Sequence, residues 1–181
     1  MNPARVLAMQ GTKAQSFGVS GGGGTPFTQV DAAALCAGLP EKHYYAGLLK
    51  WGVDQTVERN LVLYLLQAVA GIAGREKWTS RKGRLEALCM LAVNELGHPE
   101  RYTDAAHQRN LLFMRVDGSY PAPWETRLVF LGQWDIQISK SQWYAVWSKR
   151  YEAVFAMLDG WAGNAYRHVS RVQQEDYCDE C

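Results

Sequence analysis

The sequence predicts an all-α protein, a helical bundle with a C-terminal helix-turn-helix and a long terminal helix. Three observations lead there. Apolar residues recur every three or four positions at Trp143, Trp147, Tyr151, Val154, Leu158, Trp161, Ala165, Val169 and Val172, a stripe sustained for about eight turns of about 3.6 residues each. Ser139 stands immediately before that run with Gln142 three residues later, the pattern of a capping box. Two further runs, Val57 to Ile72 and Leu85 to Leu96, carry the same period in the first half of the chain.

In chain order, residues 1–24 have no sustained period and finish in Gly21, Gly22, Gly23 and Gly24, so a flexible arm is expected there. Thr25, Pro26 and Thr28 supply helix-start chemistry for the VDAAALCAGL helix, which is expected to end near Gly38 and Pro40. A second short helix runs from Glu41 to about Lys50 and stops at Gly52. From Asp54 to Ile72 comes a helix with Val57, Leu61, Leu65, Ala68 and Ile72 on one face. Leu63, Leu66 and Val69 widen that face, which predicts a central helix covered on several sides. Thr79 or Ser80 opens the next helix, with Leu85, Leu88, Cys89, Ala92 and Leu96 inward and Gly97 and Pro99 ending it. Residues 98–121 read as irregular, with a short apolar helix around Asn110 to Val116. Trp124 to Leu131 is a short amphipathic helix after Pro123, and Gly132 through Ile138 supply breaker and turn. The expected organisation is an arm over 1–24, a helical core over 25–118, a helix-turn-helix region over 119–174 and an acidic Cys-x-x-Cys tail over 175–181.

Short helix, turn, capped longer helix is the order of a helix-turn-helix. In that arrangement Lys140, Ser141, Gln142 and Tyr144 stand near base edges, and Lys149 and Arg150 are candidate phosphate contacts. The alternative is a plain helical hairpin with the same residues on a solvated face. Gly74 to Arg84 holds Arg75, Lys77, Arg81, Lys82 and Arg84 against Glu76 alone. It reads either as a phosphate-facing or acidic-partner surface or as a solvated interhelical loop. Basic side chains oppose the dipole of the helix they precede, which favours the first reading.

The 181 residues form one domain, or one with a small appendage, and their net charge is +1. Without Glu175, Asp176, Asp179 and Glu180 the balance would be +5, a mildly basic body compatible with DNA. Cys36 and Cys89 fall in apolar helical stretches and read as small hydrophobes. No signal peptide or disulfide framework is evident, and the longest apolar run, Leu61 to Ala73, is shorter than the roughly 20 residues a bilayer needs, so a cytoplasmic protein without a membrane role is expected. Glu95 and His98, like Asp104 and His107, have di-metal spacing but lack partner carboxylates, and Cys178 and Cys181 are half a zinc site. With no nucleophile motif and no phosphate loop either, the expectation is a protein that is not an enzyme, with no metal, no cofactor and no small-molecule substrate.

Ser139 to Trp143 followed by Tyr151, the Asp31, Ala32, Ala33 and Ala34 helix, the Tyr64, Leu65, Leu66 and Gln67 run, and Lys82, Arg84 and Leu85 leading an apolar helix are collinear over about residues 25–172 with the Q-type transcription antitermination proteins of lambda-like bacteriophages, which this chain resembles. The lambda member carries a Cys-rich zinc-binding insertion where this chain has only residues 98–121 without a cysteine, so the resemblance is to a variant lacking it. It implies a late-gene factor in the host bacterial cytoplasm that binds promoter-proximal double-stranded DNA and host RNA polymerase and makes elongation resistant to pausing and termination. Other readings of the same order are a small terminase subunit, a repressor, or a helical protein-interaction module whose Trp143, Trp147 and Trp161 form an interface.

Overall fold

A computed structural model describes residues 2–10, 29–52, 55–73, 83–102 and 121–179, and among these every regular element is helical, as the all-α expectation requires. The helices are α1 (Pro3–Gln10), α2 (Gln29–Leu35), α3 (Glu41–Gly47), α4 (Glu58–Ala73), α5 (Arg84–Gly97), α6 (Pro123–Gly132), α7 (Lys140–Gln142) and α8 (Ser148–Asp179). Two wider π-helical turns, Leu48–Gly52 and Trp143–Trp147, continue α3 and join α7 to α8. No described helix is long and apolar enough to cross a membrane. The chain forms two compact units, Met1–Leu61 with Asp159–Cys181, and Val62–Leu158.

In the first unit, the expectation of an arm is corrected over residues 3–10. Residues 3–10 form α1, with the side chain of Asn2 accepting from the Ala4 amide at 2.9 Å, and Val6 and Leu7 are fully buried. They join Ala32, Leu35, Cys36, Ala165 and Val169 in one core, edged by Leu39, Tyr44, Trp51 and Val172. Eight residues are too few to display a period and too few to hold a helix alone, so α1 exists because two adjacent apolar side chains find that core. The four glycines at 21–24 lie outside the described residues. After α2 the chain turns at Gly38, whose φ of +80° is the left-handed conformation that ends helices. Pro40 precedes α3, and its carbonyl accepts from the His43 and Tyr44 amides at 2.9 and 3.0 Å. Where α3 passes α8, a Cβ on Gly47 would stand 3.0 Å from that of Ala165 and 3.2 Å from a Leu7 methyl. Lys50 Nζ donates to Asp159 Oδ1 at 2.5 Å, and His168 Nε2 lies 2.9 Å from the Ala37 carbonyl.

In the second unit, Leu65 and Val69 of α4 are buried and Leu66 half-buried, but Leu63 is 52% exposed. The covered face of α4 is therefore narrower than its composition suggested. Helix α5 begins at Arg84 after Gly83, whose φ is +82°; Thr79 and Ser80 lie outside the described residues. It buries Ala87, Leu88, Cys89, Leu91, Ala92, Val93, Glu95 and Leu96. His98 leaves the helix, a short 3-10 turn follows over Pro99–Arg101, and the Tyr102 hydroxyl donates back to Asn94 Oδ1 at 2.7 Å. The region of the expected short helix at 110–116 lies outside the described residues. Of the predicted stripe, Trp143, Trp147, Tyr151, Val154 and Leu158 are buried in this unit, and Trp161, Ala165 and Val169 in the other.

Cys36 and Cys89 are buried free thiols, as their settings predict. Burial pushes the Cys36 thiol up to about 11, and burial with the nearby Glu86 charge pushes Cys89 up to about 12.

Two measurements check this packing. Replacing Gly47 by Ala forces Ala165 and Leu7 to give way, an overpacking cost of about 1–3 kcal/mol that exceeds the gain of about 0.5–1 kcal/mol from higher helix propensity; the urea midpoint should fall. Alkylation at pH 8 followed by peptide mass mapping should leave Cys36 and Cys89 unmodified in the folded chain and modify both in urea. Because the folded thiols hold their protons longer than unfolded ones, their contribution to stability is complete below pH 9 and is lost as pH rises from there through about 11 and 12.

Candidate nucleic-acid interface

Helix α6 starts at Pro123, where the Glu125 side chain reaches back to accept from the Ala122 amide at 2.9 Å. Only this half of a capping box forms, because Ala122 has no side-chain acceptor. The α-helix runs to Gly132, where the sequence places the breaker. It ends in a Schellman turn whose left-handed residue is Asp135 (φ 57°), with Ile136 N–H donating to the Leu131 carbonyl at 3.1 Å and Asp135 N–H to Gly132 at 3.2 Å. A short aspartate side chain tolerates that conformation, and the turn places Trp134 outward, 44% exposed.

The cap read from the sequence forms in both directions. The Gln142 amide donates to Ser139 Oγ at 3.3 Å, and the Ser139 amide donates to Gln142 Oε1 at 2.9 Å. Ser139 Oγ and Ser141 Oγ lie 2.9 Å apart. After α7 the backbone widens into the π-helical turn, closed by the Ser148 amide donating to the Trp143 carbonyl. Two side chains bond carbonyls of this turn: Ser148 Oγ donates to Tyr144 at 3.3 Å, and Arg150 Nη1 donates to Val146 at 2.6 Å. The wide turn replaces the first α-turns the stripe predicted, yet it keeps Trp143 and Trp147 inward and Tyr144 outward at 55% exposure. Local distortions of this kind are enriched at functional positions.

The predicted contact residues are thus brought together but are not equivalent. Lys140, Ser141, Gln142, Tyr144 and Lys149 are exposed around the start of the second helix. Lys140 Nζ lies 4.7 Å from the Trp124 ring centroid, a cation–π contact that spans the hairpin. Gln142 commits its amide oxygen to the cap, and the half-buried Arg150 holds the Val146 carbonyl, so both have structural duties. Arg84 stands half-buried at the start of α5 with its guanidinium 5.9 Å from the Trp147 ring centroid. Arg75, Lys77, Arg81 and Lys82 lie outside the described residues. Trp143, Trp147 and Trp161 are buried as core residues and do not form an exposed surface.

Behind this surface lies a network the sequence reading missed. Arg127 of α6 grips Glu95 of α5 through two nitrogens on one edge of its guanidinium, Nε to Oε2 at 2.9 Å and Nη2 to Oε1 at 2.6 Å. The Tyr151 hydroxyl of α8 donates to the same Oε2, and the Arg127 guanidinium lies 4.9 Å from the Tyr151 ring centroid and 5.9 Å from that of Trp143. The Trp143 and Tyr151 rings meet at 5.6 Å. Glu95 is 8% exposed. Burial alone would pull the Arg127 guanidinium down; hydrogen bonding to and the charge of Glu95 outweigh it and hold the cation above its ordinary value. Burial, then the Glu95 charge, pushes the Tyr151 phenol far up, so it stays a donor. The sequence marks Glu95 only as half of a metal motif. The signal in the sequence was a carboxylate on the inward face of α5 and an arginine in an amphipathic helix, each needing a partner. Among the described residues no group of His, Cys, Asp and Glu could hold a metal ion, and the Cys178 and Cys181 side chains lie outside them.

The chain matches no family model, no curated protein and no solved structure. The exposed cations, hydroxyls and aromatic ring offer hydrogen bonds and charge to a polyanion, with no nucleophile and base brought together among them.

Substituting Ser139 by Ala removes the acceptor of the Gln142 amide and frees the Gln142 side chain, and should cost about 1 kcal/mol. Hydrogen exchange should rise at Lys140 to Trp143 and stay unchanged in α5; equal protection in both forms would mean the cap is dispensable.

Proposed function

We propose that this chain is a phage late-gene transcription antitermination factor, which reads promoter-proximal duplex DNA with its helix-turn-helix and acts on host RNA polymerase. The observation that carries the DNA part is the capped second helix with Lys140, Ser141, Tyr144 and Lys149 exposed at its start, on a hairpin pinned by buried contacts to α5. Phosphates would be met by Lys140 and Lys149, and base edges by Ser141, Tyr144 and the remaining amide group of Gln142. The antitermination part rests on the resemblance of residues 25–172 to the Q-type proteins.

One hairpin making so few phosphate contacts binds weakly, with non-specific dissociation constants of roughly 10⁻⁴ to 10⁻⁶ M at physiological salt. Such a reader gains occupancy by dimerising or by docking on a complex already held at the DNA. RNA polymerase paused near a promoter is a platform of that kind. The exposed apolar side chains of Val129 (67%) and Trp134 favour a second reading, a helical protein-interaction module without DNA contact.

Single-round transcription with purified host polymerase on a late-promoter template carrying a downstream terminator tests the proposal. Readthrough that requires both the protein and the upstream promoter DNA is the expected result. Lys140→Ala with Lys149→Ala should weaken DNA binding and reduce the salt slope by about 0.9 for each phosphate that is no longer neutralised. Unchanged termination with soluble, folded protein sinks the antitermination reading, and DNA affinity unaffected by the double substitution sinks the assignment of the surface.

A further inference from the structure

Holding three helices with a buried ion pair is an unusual choice, because two charges must leave water and an apolar set of the same volume serves stability as well or better. What the ion pair adds is direction. A planar guanidinium bonded through two nitrogens to two carboxylate oxygens permits one relative orientation, whereas apolar side chains slide. Arg127 stands on the first helix of the hairpin, Glu95 on α5, and the Tyr151 hydroxyl closes the set from α8. The same guanidinium lies against Trp143, which directly follows Gln142 and directly precedes Tyr144 in the chain. Any shift of the Trp143 backbone carries the exposed residues on either side with it.

We infer that the Glu95–Arg127–Tyr151 network is the positioning device of the DNA-reading surface, setting its discrimination between sequences while leaving its attraction to phosphate untouched. The inference rests on the DNA reading proposed above. Glu95 and Tyr151 are buried and Arg127 is committed to Glu95, so the three residues act through Trp143 and the π-helical turn. Base readout depends on placing donors and acceptors to within about 0.5 Å, whereas phosphate attraction follows charge. Removing Glu95 and Arg127 together leaves the net charge unchanged, so the two effects separate.

The test selects duplexes from a randomised DNA library with the full-length wild type and with the double variant Glu95→Leu/Arg127→Met, alongside thermal unfolding and the salt dependence of binding to one fixed non-specific duplex. The expected result is a motif from the wild type and a flatter motif from the variant, with discrimination between best and scrambled sites falling about tenfold, the size of one good bidentate pairing with a base edge. The salt slope and non-specific affinity should agree within about twofold, since both follow net charge. Equal motifs from two equally folded proteins overturn the inference. If the double variant does not fold, Tyr151→Phe decides: it deletes one hydroxyl, leaves the guanidinium–carboxylate fork in place, and should lower discrimination several-fold at an unchanged salt slope, whereas unchanged discrimination overturns the inference. A wild type that binds the library without any motif overturns the DNA reading itself, an outcome distinct from a motif that survives the substitutions.

Discussion

Arg127 brings a full positive charge to a half-buried position beside the buried Glu95, and the arrangement of α5, α6 and the start of α8 follows from satisfying it. The guanidinium has five donors and no acceptor, and it does not give up its proton, so its neighbours must come to it. Glu95 supplies both oxygens, and the Tyr151 hydroxyl bonds the carboxylate from a third helix. The faces of Trp143 and Tyr151 then cover part of the cation and limit its contact with water, which strengthens each of these bonds. Removing either partner alone leaves an uncompensated buried charge, a loss of about 3–5 kcal/mol, whereas replacing both by apolar residues is often close to neutral. The network therefore contributes more to how the helices are aimed than to how tightly they are held.

What it aims is a helix start whose backbone is itself over-determined. The cap engages Ser139 and Gln142 in both directions, the Schellman turn fixes the approach through Asp135, and Ser148 and Arg150 bond carbonyls of the π-helical turn. Several of the polar residues that look available for recognition are thereby occupied in building the element. Lys140, Ser141, Tyr144 and Lys149 are the exposed ones left to meet a partner, a small number in keeping with the proposed action beside a larger DNA-bound complex.

The first unit follows a different principle, close approach of small residues. Gly47 and Ala165 let α3 lie against α8 with the Leu7 side chain sealing the contact, and α1 is helical because Val6 and Leu7 are consumed there. Its polar ties, Lys50 to Asp159 and His168 to the Ala37 carbonyl, sit outside that core.

Local, short-range physics was legible in the residues themselves. The all-α class, the stripe from Trp143 to Val169, the reciprocal cap at Ser139 and Gln142 and the burial of Cys36 and Cys89 all follow from periods and neighbours a few positions apart. The candidate surface was legible to the same depth: which residues stand at the helix start could be read, and which of them already serve the fold could not. Only the tertiary structure decided that residues 3–10 are core instead of arm, that Leu63 is uncovered, that the chain leaves α6 through an aspartate turn, and that Glu95, Arg127 and Tyr151 are one group. The physical reason is common to these cases. Each depends on a partner tens of residues away or on a shape that a neighbouring element imposes, and neither leaves a period in the sequence.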